Sequence, residues 1–388
     1  MNAILTGSLE DQRRHRTSVK WRVFDPDVVP VWVAEMDAAP CEPVVEAVTA
    51  AMRRGDTGYT WPAPYAAALS GFAARRWGWE PDPETMLVGV DVMVSVYELL
   101  RRHTDEAGAV VVSPPCYDSF FGFVEAVERR RIDAPLTDAG RLDLAALRTA
   151  FTEATARGGR ATYLLCNPHN PTGVAHTREE LSELASLAAE LGVRVVSDEI
   201  HAPLVHAPST FTPYLAADHT GLGFAVHSPS KAWNLAALKC ALTVPGEHAV
   251  DDLRAIHEVH THGASHLAAI AHTAAYEQGE EWLDQLLREL AVNIDTVDGA
   301  LGTRLPGARW HRPEATYLGW IDLRESGLGD DPALELLRRG RVALSNGPRF
   351  GAEAGRGFAR LNMATSPEVL DEALARIATV LQPGRTAG

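Results

Sequence analysis

An alternation along the chain constrains its fold most. Short, uninterrupted apolar runs recur as TMLV (85–88), AVVVS (109–113), TYLLC (162–166), VRVVS (193–197) and FAVHS (224–228). Helical periodicity fills several of the intervals, with helices predicted at about 92–104 and 177–191 and an earlier one at 43–55 that opens on Pro43 and stops at Gly55. Strands that are apolar throughout, rather than at every second residue, are covered on both faces. Strands interleaved with helices assemble as an α/β, mostly parallel sheet flanked by helices. After residue 245 the pattern changes to a long helical stretch over about 248–302, broken near Gly279. A strand at 316–322, a helix near 331–339, a strand at 358–362 and a last helix at about 367–382 follow, which reads as a smaller α+β domain. The chain of 388 residues therefore divides into an N-terminal arm with part of the small domain (1–45), a large domain (46–280) and a small C-terminal domain (281–388).

Charge and cysteine usage narrow the partners. With 36 basic and 51 acidic side chains the formal net charge is -15, which repels nucleic acid and anionic membrane and directs attention to a small-molecule site. Cys41, Cys116, Cys166 and Cys240 form no C-x-x-C pair, so a reducing cytoplasm is expected. The polar start MNAILTGSLEDQRRHR has no signal-peptide core, and no apolar run is long enough to span a bilayer. The histidine-rich run 256–272 places Thr261 where H-E-x-x-H needs its second histidine. His262 and His266 stand one helical turn apart, but a solvated or interface face accounts for them, and no metal is assigned.

In open parallel sheets, ligands gather beyond the carboxyl ends of the strands. There TYLLC runs into NPHNPTG, VRVVS into Asp198-Glu199-Ile200-His201, and FAVHS into Pro229-Ser230-Lys231. One pocket could collect Asn170, Asp198, His201, Ser228 and Lys231. A desolvated lysine can lose its proton and attack a carbonyl. An aspartate can keep a pyridine nitrogen protonated, and an amide or imidazole can hydrogen-bond a phenolic oxygen. A serine hydroxyl and helix-start amides, such as those of Val92 and Met93 after Gly89, can hold a phosphate. Tyr117 could lay its ring on a cofactor ring.

These motifs together resemble the fold-type I pyridoxal 5'-phosphate (PLP) enzymes of the aspartate aminotransferase superfamily, and within them the MalY/PatB-type cystathionine β-lyases. The resemblance covers roughly residues 17–383 and rests on KWRVFDPDVVPVWVAEMD (20–37), GDTGYTWP (55–62), CNPHNPTG (166–173), SDEIHAPL (197–204), SPSKAWNLAALK (228–239) and RLNMATSP (360–367). It implies the PLP-transferase fold and gives each position a role. Lys231 would carry the cofactor as a Schiff base and shuttle protons. Asp198 would pair with the pyridine nitrogen, Asn170 and His201 would lie by the phenolic oxygen, Tyr117 would stack on the ring, and Ser228 would bind phosphate. Tyr59 would reach the phosphate of a neighbouring subunit, implying a homodimer with shared active sites. Arg360 would clamp the substrate α-carboxylate, with Trp32 on the pocket wall. Lys239 stands where aminotransferases use an arginine for the phosphate; Ala38-Ala39-Pro40 and Ala315 depart from common residues of the branch and put substrate identity in doubt.

The expected reaction is β-elimination of a thiol from cystathionine or another S-substituted cysteine, giving pyruvate and ammonia. The same residues would also serve an aminotransferase, or a decarboxylating or oxidative enzyme of secondary metabolism. A non-enzymatic regulatory protein would have lost the lysine, the aspartate or the arginine, and all three are present.

Overall fold

The computed structural model describes residues 3–382, in two compact units. The outermost residues of the expected arm and C-terminal domain, 1–2 and 383–388, lie outside the described residues. The larger unit comprises residues 40–169 and 174–283; the smaller comprises the chain before residue 40, residues 170–173 and the chain from residue 284. Strand β1 (Val29–Pro30) belongs to the smaller unit.

The larger unit is built on a seven-stranded sheet of β2 (Leu87–Gly89), β3 (Ala109–Val112), β4 (Arg130–Asp133), β5 (Ala161–Cys166), β6 (Val193–Asp198), β7 (Phe224–His227) and β8 (Ala241–Pro245), in the order β2-β8-β7-β6-β5-β3-β4. β8 runs antiparallel to both neighbours and every other pairing is parallel, so the sheet is mostly parallel as expected. The uninterrupted apolar runs have a direct cause. Val110 and Val112 pack on one face with Val96, Leu99 and Leu100 of the helix Val92–His103. Ala109 and Val111 pack on the other with Leu147, Phe151, Leu181 and Leu184 of the helices Leu144–Thr155 and Arg178–Glu190. Each such fully buried Val, Leu or Phe contributes about 1.5–3 kcal/mol. The register sets Cys166 beside Asp198, and Asp198 beside Val226, so β5, β6 and β7 end level.

In the smaller unit β9 (Arg309–Trp310), β10 (Leu318–Asp322), β12 (Ser345–Asn346) and β13 (Phe358–Asn362) form an antiparallel sheet, and β11 (Val342–Ala343) pairs in parallel with β1. Its core joins Ile321, Leu361 and Met363 to Leu336 of the helix Pro332–Gly340 and to Leu370, Leu374 and Ile377 of the helix Pro367–Leu381. The arm is fastened by a buried ion pair: Lys20 Nζ lies 2.7 Å from Asp37 Oδ2, and Trp21 Nε1 donates to Asp37 Oδ1 at 2.9 Å.

One element differs from expectation. The stretch predicted as a single helix broken near Gly279 is broken twice, into Val250–Arg254, His266–Gln278 and Glu280–Thr303. Between the first two, the His257 ring accepts from the Val259 amide and starts a short 3-10 turn, and the Ser265 hydroxyl caps the next helix at Ala268. At Gly279 the backbone passes so close to Trp233 that a Cβ would lie 2.4 Å from its indole nitrogen.

Five buried imidazoles of the larger unit make acid stability testable. Burial pushes His103 down to about 4, holds His169, His227 and His272 down at about 3, and keeps His176 well below its usual range. From about pH 6.5 downward the unfolded chain takes up protons at these rings and the native protein does not, so stability falls with pH. Asp198 and Glu199, pushed up by burial to about 7 and about 8, act in the opposite sense, but two carboxyls are outnumbered by five imidazoles. The urea midpoint of the cofactor-free protein is expected to be lower at pH 5 than at pH 6.5.

Candidate active site

The level ends of β5, β6 and β7 and the parallel end of β2 deliver most of the predicted residues of the larger unit to one edge of its sheet. Asp198 ends β6 and is buried; its Oδ1 accepts from the Ile200 amide at 3.1 Å. Burial pushes its carboxyl up to about 7, opposed by that amide and by the charge of Lys231, and reinforced by Asp91. His201 follows in a buried turn closed by the Leu204 amide donating to its carbonyl at 2.9 Å. Lys231 lies in the turn after β7, which the Trp233 amide closes on the Pro229 carbonyl at 3.0 Å and the Leu235 amide on the Ser230 carbonyl at 2.8 Å.

Phosphate-binding chemistry converges at the head of the helix Val92–His103. Asp91 caps it, its Oδ1 accepting from the Val94 amide at 2.8 Å, and the amides of Val92 and Met93 in the first turn have no intrahelical acceptor. Gly89 makes the approach feasible, since a Cβ there would meet Ser95 Oγ at 2.2 Å. Lys239 Nζ lies 3.0 Å from Asp91 Oδ2, and the Ser228 hydroxyl donates to the Cys240 carbonyl at 2.9 Å, so Lys239, Ser228 and the helix head are neighbours. Tyr117 follows β3 and sets its ring edge-on to Phe120, with centroids 5.6 Å apart.

Tyr59 stands apart, 85% exposed, on a loop whose Thr60 hydroxyl donates to the Ala264 carbonyl at 2.6 Å; Trp61 beside it is 70% exposed. The histidine run carries no metal cluster among the described residues. His260 Nε2 faces Glu98 at 3.0 Å, His266 Nε2 faces Asp56 at 3.2 Å, and His262 packs against the Tyr59 ring.

The smaller unit holds the Arg360 guanidinium in place. Arg360 is buried on β13, with Nη1 donating to Asn170 Oδ1 at 2.9 Å and Nη2 to Ser345 Oγ at 3.0 Å and to the Trp32 carbonyl at 3.2 Å. Its guanidinium lies 4.7 Å from the centre of the Phe350 ring. Asn170 thus belongs by its contacts to the unit that holds Arg360. Trp32 meets Phe24 edge-on at 5.6 Å. Segment 31–35 is held to β13 by Asn362, whose side-chain amide donates to the carbonyls of Val33 and Glu35 at 2.7 and 2.6 Å.

Sequence reading gave no role to Asp91, Tyr65, Glu199 or His227. Asp91 was legible as a helix cap before an apolar run. Tyr65, buried against His272 Nδ1 at 3.2 Å, carries no local signal. His227 lies inside an apolar strand and shows its role only through the neighbour it meets in space.

This donor set fits an anionic cofactor with a basic ring nitrogen. A buried carboxylate such as Asp198 costs free energy unless a cation meets it, and a protonated pyridine supplies one. The helix head, a serine hydroxyl and a lysine suit a phosphate. No helix among the described residues is long and apolar enough to cross a membrane.

Comparison with known proteins agrees. A family model described as aminotransferase class I and II matches residues 33–377. A Mycobacterium leprae protein named "Putative cystathionine beta-lyase" is 46% identical over 388 residues, covering 96% of each chain. A cystathionine beta-lyase of Corynebacterium glutamicum is 34% identical, covering 96% of this chain and 98% of its own. The crystal structure of a "putative plp-dependent beta-cystathionase" from Corynebacterium diphtheriae superimposes with a TM-score of 0.91 at 35% identity, covering 98% of this chain and 99% of the other.

Proposed function

The chain belongs to the aminotransferase class I and II family, and from that premise we propose that it is a PLP-dependent carbon–sulfur β-lyase acting on cystathionine or another S-substituted cysteine. The observation that carries this reading is that the paired strands β6 and β7 end together, Asp198 closing one and Lys231 lying in the turn after the other, in a chain whose relatives at 46% and 34% identity bear the cystathionine lyase name.

When bound, the cofactor supplies an electron sink for the pair left at the substrate's Cα. Lys231 would hold it covalently, and its freed amine would take the Cα proton. Asp198 would keep the ring nitrogen protonated; Asn170 and His201 would hydrogen-bond the phenolic oxygen, and Tyr117 would cover the ring. Lys239 and the amides of Val92 and Met93 would hold the phosphate, joined by Ser228 when its hydroxyl turns from the Cys240 carbonyl. Arg360 would bind the α-carboxylate through its planar fork and so orient the Cα–H bond, with Trp32 beside it. With the proton on Lys231, the Cα pair would form the Cα–Cβ double bond and the sulfur would leave Cβ as a thiolate, taking the Cβ–S bonding pair. The released aminoacrylate hydrolyses to pyruvate and ammonia.

Exposed Tyr59 and Trp61 support a homodimer in which Tyr59 serves the neighbouring subunit's site, and four buried cysteines, all free thiols, support a cytoplasmic location. The deciding experiment incubates holoenzyme with cystathionine and with S-alkyl cysteines and measures pyruvate and thiol together. Equimolar release is expected. Exchange of the amino group with a keto acid without thiol release would make the protein an aminotransferase instead. Arg360→Lys keeps the charge and loses the fork, so KM is expected to rise about tenfold and kcat to fall as well, because the fork would also orient the Cα–H bond.

A further inference from the structure

Glu199 follows the proposed pyridine partner Asp198, faces a different set of groups, and takes no part in the chemistry above. It is buried, and its Oε1 receives three donors: the Tyr214 amide at 2.8 Å, the Ser197 hydroxyl at 3.0 Å and the Asn167 side-chain amide at 3.3 Å. Its Oε2 lies 3.2 Å from His227 Nε2, both atoms are buried, and neither they nor His227 Nδ1 have an aligned hydrogen-bond partner among the described residues. Three of these four partners come from the ends of the strands that lead into the candidate site, Asn167 following β5, Ser197 in β6 and His227 ending β7, and the fourth, Tyr214, opens a 3-10 turn. The Glu199 amide also donates to the Val226 carbonyl and the Asn167 amide to the Asp198 carbonyl, both at 2.9 Å. Apolar rings enclose the other side of His227, with Trp77 stacked at 5.8 Å and Trp79 tilted at 5.9 Å.

We propose that Glu199 is a positioning residue that keeps its proton and donates it from Oε2 to His227 Nε2, a charge-neutral brace that ties the ends of β5, β6 and β7 and leaves Asp198 the anion for the cofactor's ring nitrogen. Two buried polar atoms that face each other without an aligned partner are both satisfied if the imidazole turns slightly and one proton lies between them. Were Glu199 ionised beside a neutral imidazole, a second buried negative charge would adjoin Asp198 and draw a proton onto it. Burial pushes Glu199 up to about 8, with the Asp198 charge adding to the rise, and holds His227 down at about 3, both in keeping with a proton on the carboxyl. The inference rests on the assignment of Asp198 to the pyridine nitrogen.

The test compares Glu199→Gln with Glu199→Ala. Glutamine reproduces the neutral form: its carbonyl accepts the same three donors and its NH2 donates to His227. The dissociation constant for PLP is expected to stay within about threefold of wild type, with the visible absorption maximum and unfolding temperature unchanged. Alanine strands three donors and the imidazole, and PLP should dissociate on the order of ten to a hundred times more readily. The infrared difference between wild type and Glu199→Gln should contain the carbonyl band of a protonated carboxylic acid. That band and the glutamine result decide the matter even if the alanine variant does not fold. The proposal is overturned if glutamine weakens PLP as much as alanine does, if alanine leaves binding unchanged, or if the band is absent. A wild-type protein that binds no PLP while the band persists would instead overturn the cofactor reading and leave the protonated couple standing.

Discussion

Lys231→Ala protein reconstituted with PLP is expected to hold no cofactor that borohydride reduction fixes to the chain, and to release pyruvate at least about a thousandfold more slowly than wild type. Two losses combine. The amine would be both the covalent attachment point and the base for the Cα proton, and a methyl group can do neither. The rest of the proposed site should survive, because the turn that presents Lys231 is closed by backbone bonds from Trp233 and Leu235 that do not involve its side chain. The variant should therefore still bind PLP non-covalently through the phosphate-binding residues, and its unfolding temperature should change little. A small primary amine added to the solution should restore part of the rate, since an amine is what is missing. Cofactor still fixed to the variant by borohydride reduction would show that a different lysine carries it.

Lys20→Met is expected to lower stability by about 3–5 kcal/mol, without touching any residue assigned to the cofactor. Lys20 and Asp37 are both fully buried, with their charged atoms 2.7 Å apart. Methionine fills the space but leaves the Asp37 carboxylate with the Trp21 indole and a more distant Arg16, 4.0 Å away. An uncompensated buried charge is far costlier than the pair was beneficial, so Lys20→Met/Asp37→Leu should recover most of the loss. Because Lys20 Nζ also donates to the Glu35 carbonyl at 3.0 Å, and Asn362 holds that same carbonyl, the single variant should loosen segment 31–37, which supplies the Trp32 carbonyl to Arg360. A raised KM with intact cofactor absorption would report this. Chemical denaturation followed by tryptophan fluorescence measures the stability loss; a midpoint equal to wild type would show that the pair is not a net contributor.

The sheet was legible because burial on both faces writes itself into consecutive residues, as in Val110–Val112 and Tyr163–Leu165. The edge strand Arg130–Asp133 was not, because only Ile132 of its residues is buried and three of its four side chains are charged. The helices Ala63–Trp77 and Ser119–Ala126 were missed too: the first is rich in alanine and starts on a proline turn, and the second is apolar almost all round, so neither shows a clear polar face. Within the candidate site, residues carried by motifs after strands were legible from local sequence: Asp198, Asn170, Ser228, Lys231. Their supporting contacts were not. Arg360 meets Asn170 across 190 positions of chain, and Lys239 meets Asp91 across 148, and no local spacing encodes such encounters. Glu199 was visible only as a neighbour of Asp198, since the groups that define its role, Asn167, Ser197, Tyr214 and His227, are brought to it from separate elements of the chain.

The smaller unit is discontinuous in the chain, made from the N-terminal arm, the four-residue insert 170–173 and everything after residue 283. During synthesis the larger unit can therefore close on itself while the smaller one still lacks most of its substance. The ribosome would deliver Asp198 and Lys231 well before Arg360, and β13, which carries that arginine, is among the last elements to emerge. A nascent chain halted near residue 283 would hold the residues expected to capture PLP but none of the fork expected to hold a substrate. Cofactor capture could then precede catalytic competence, with the last hundred residues acting as a built-in delay.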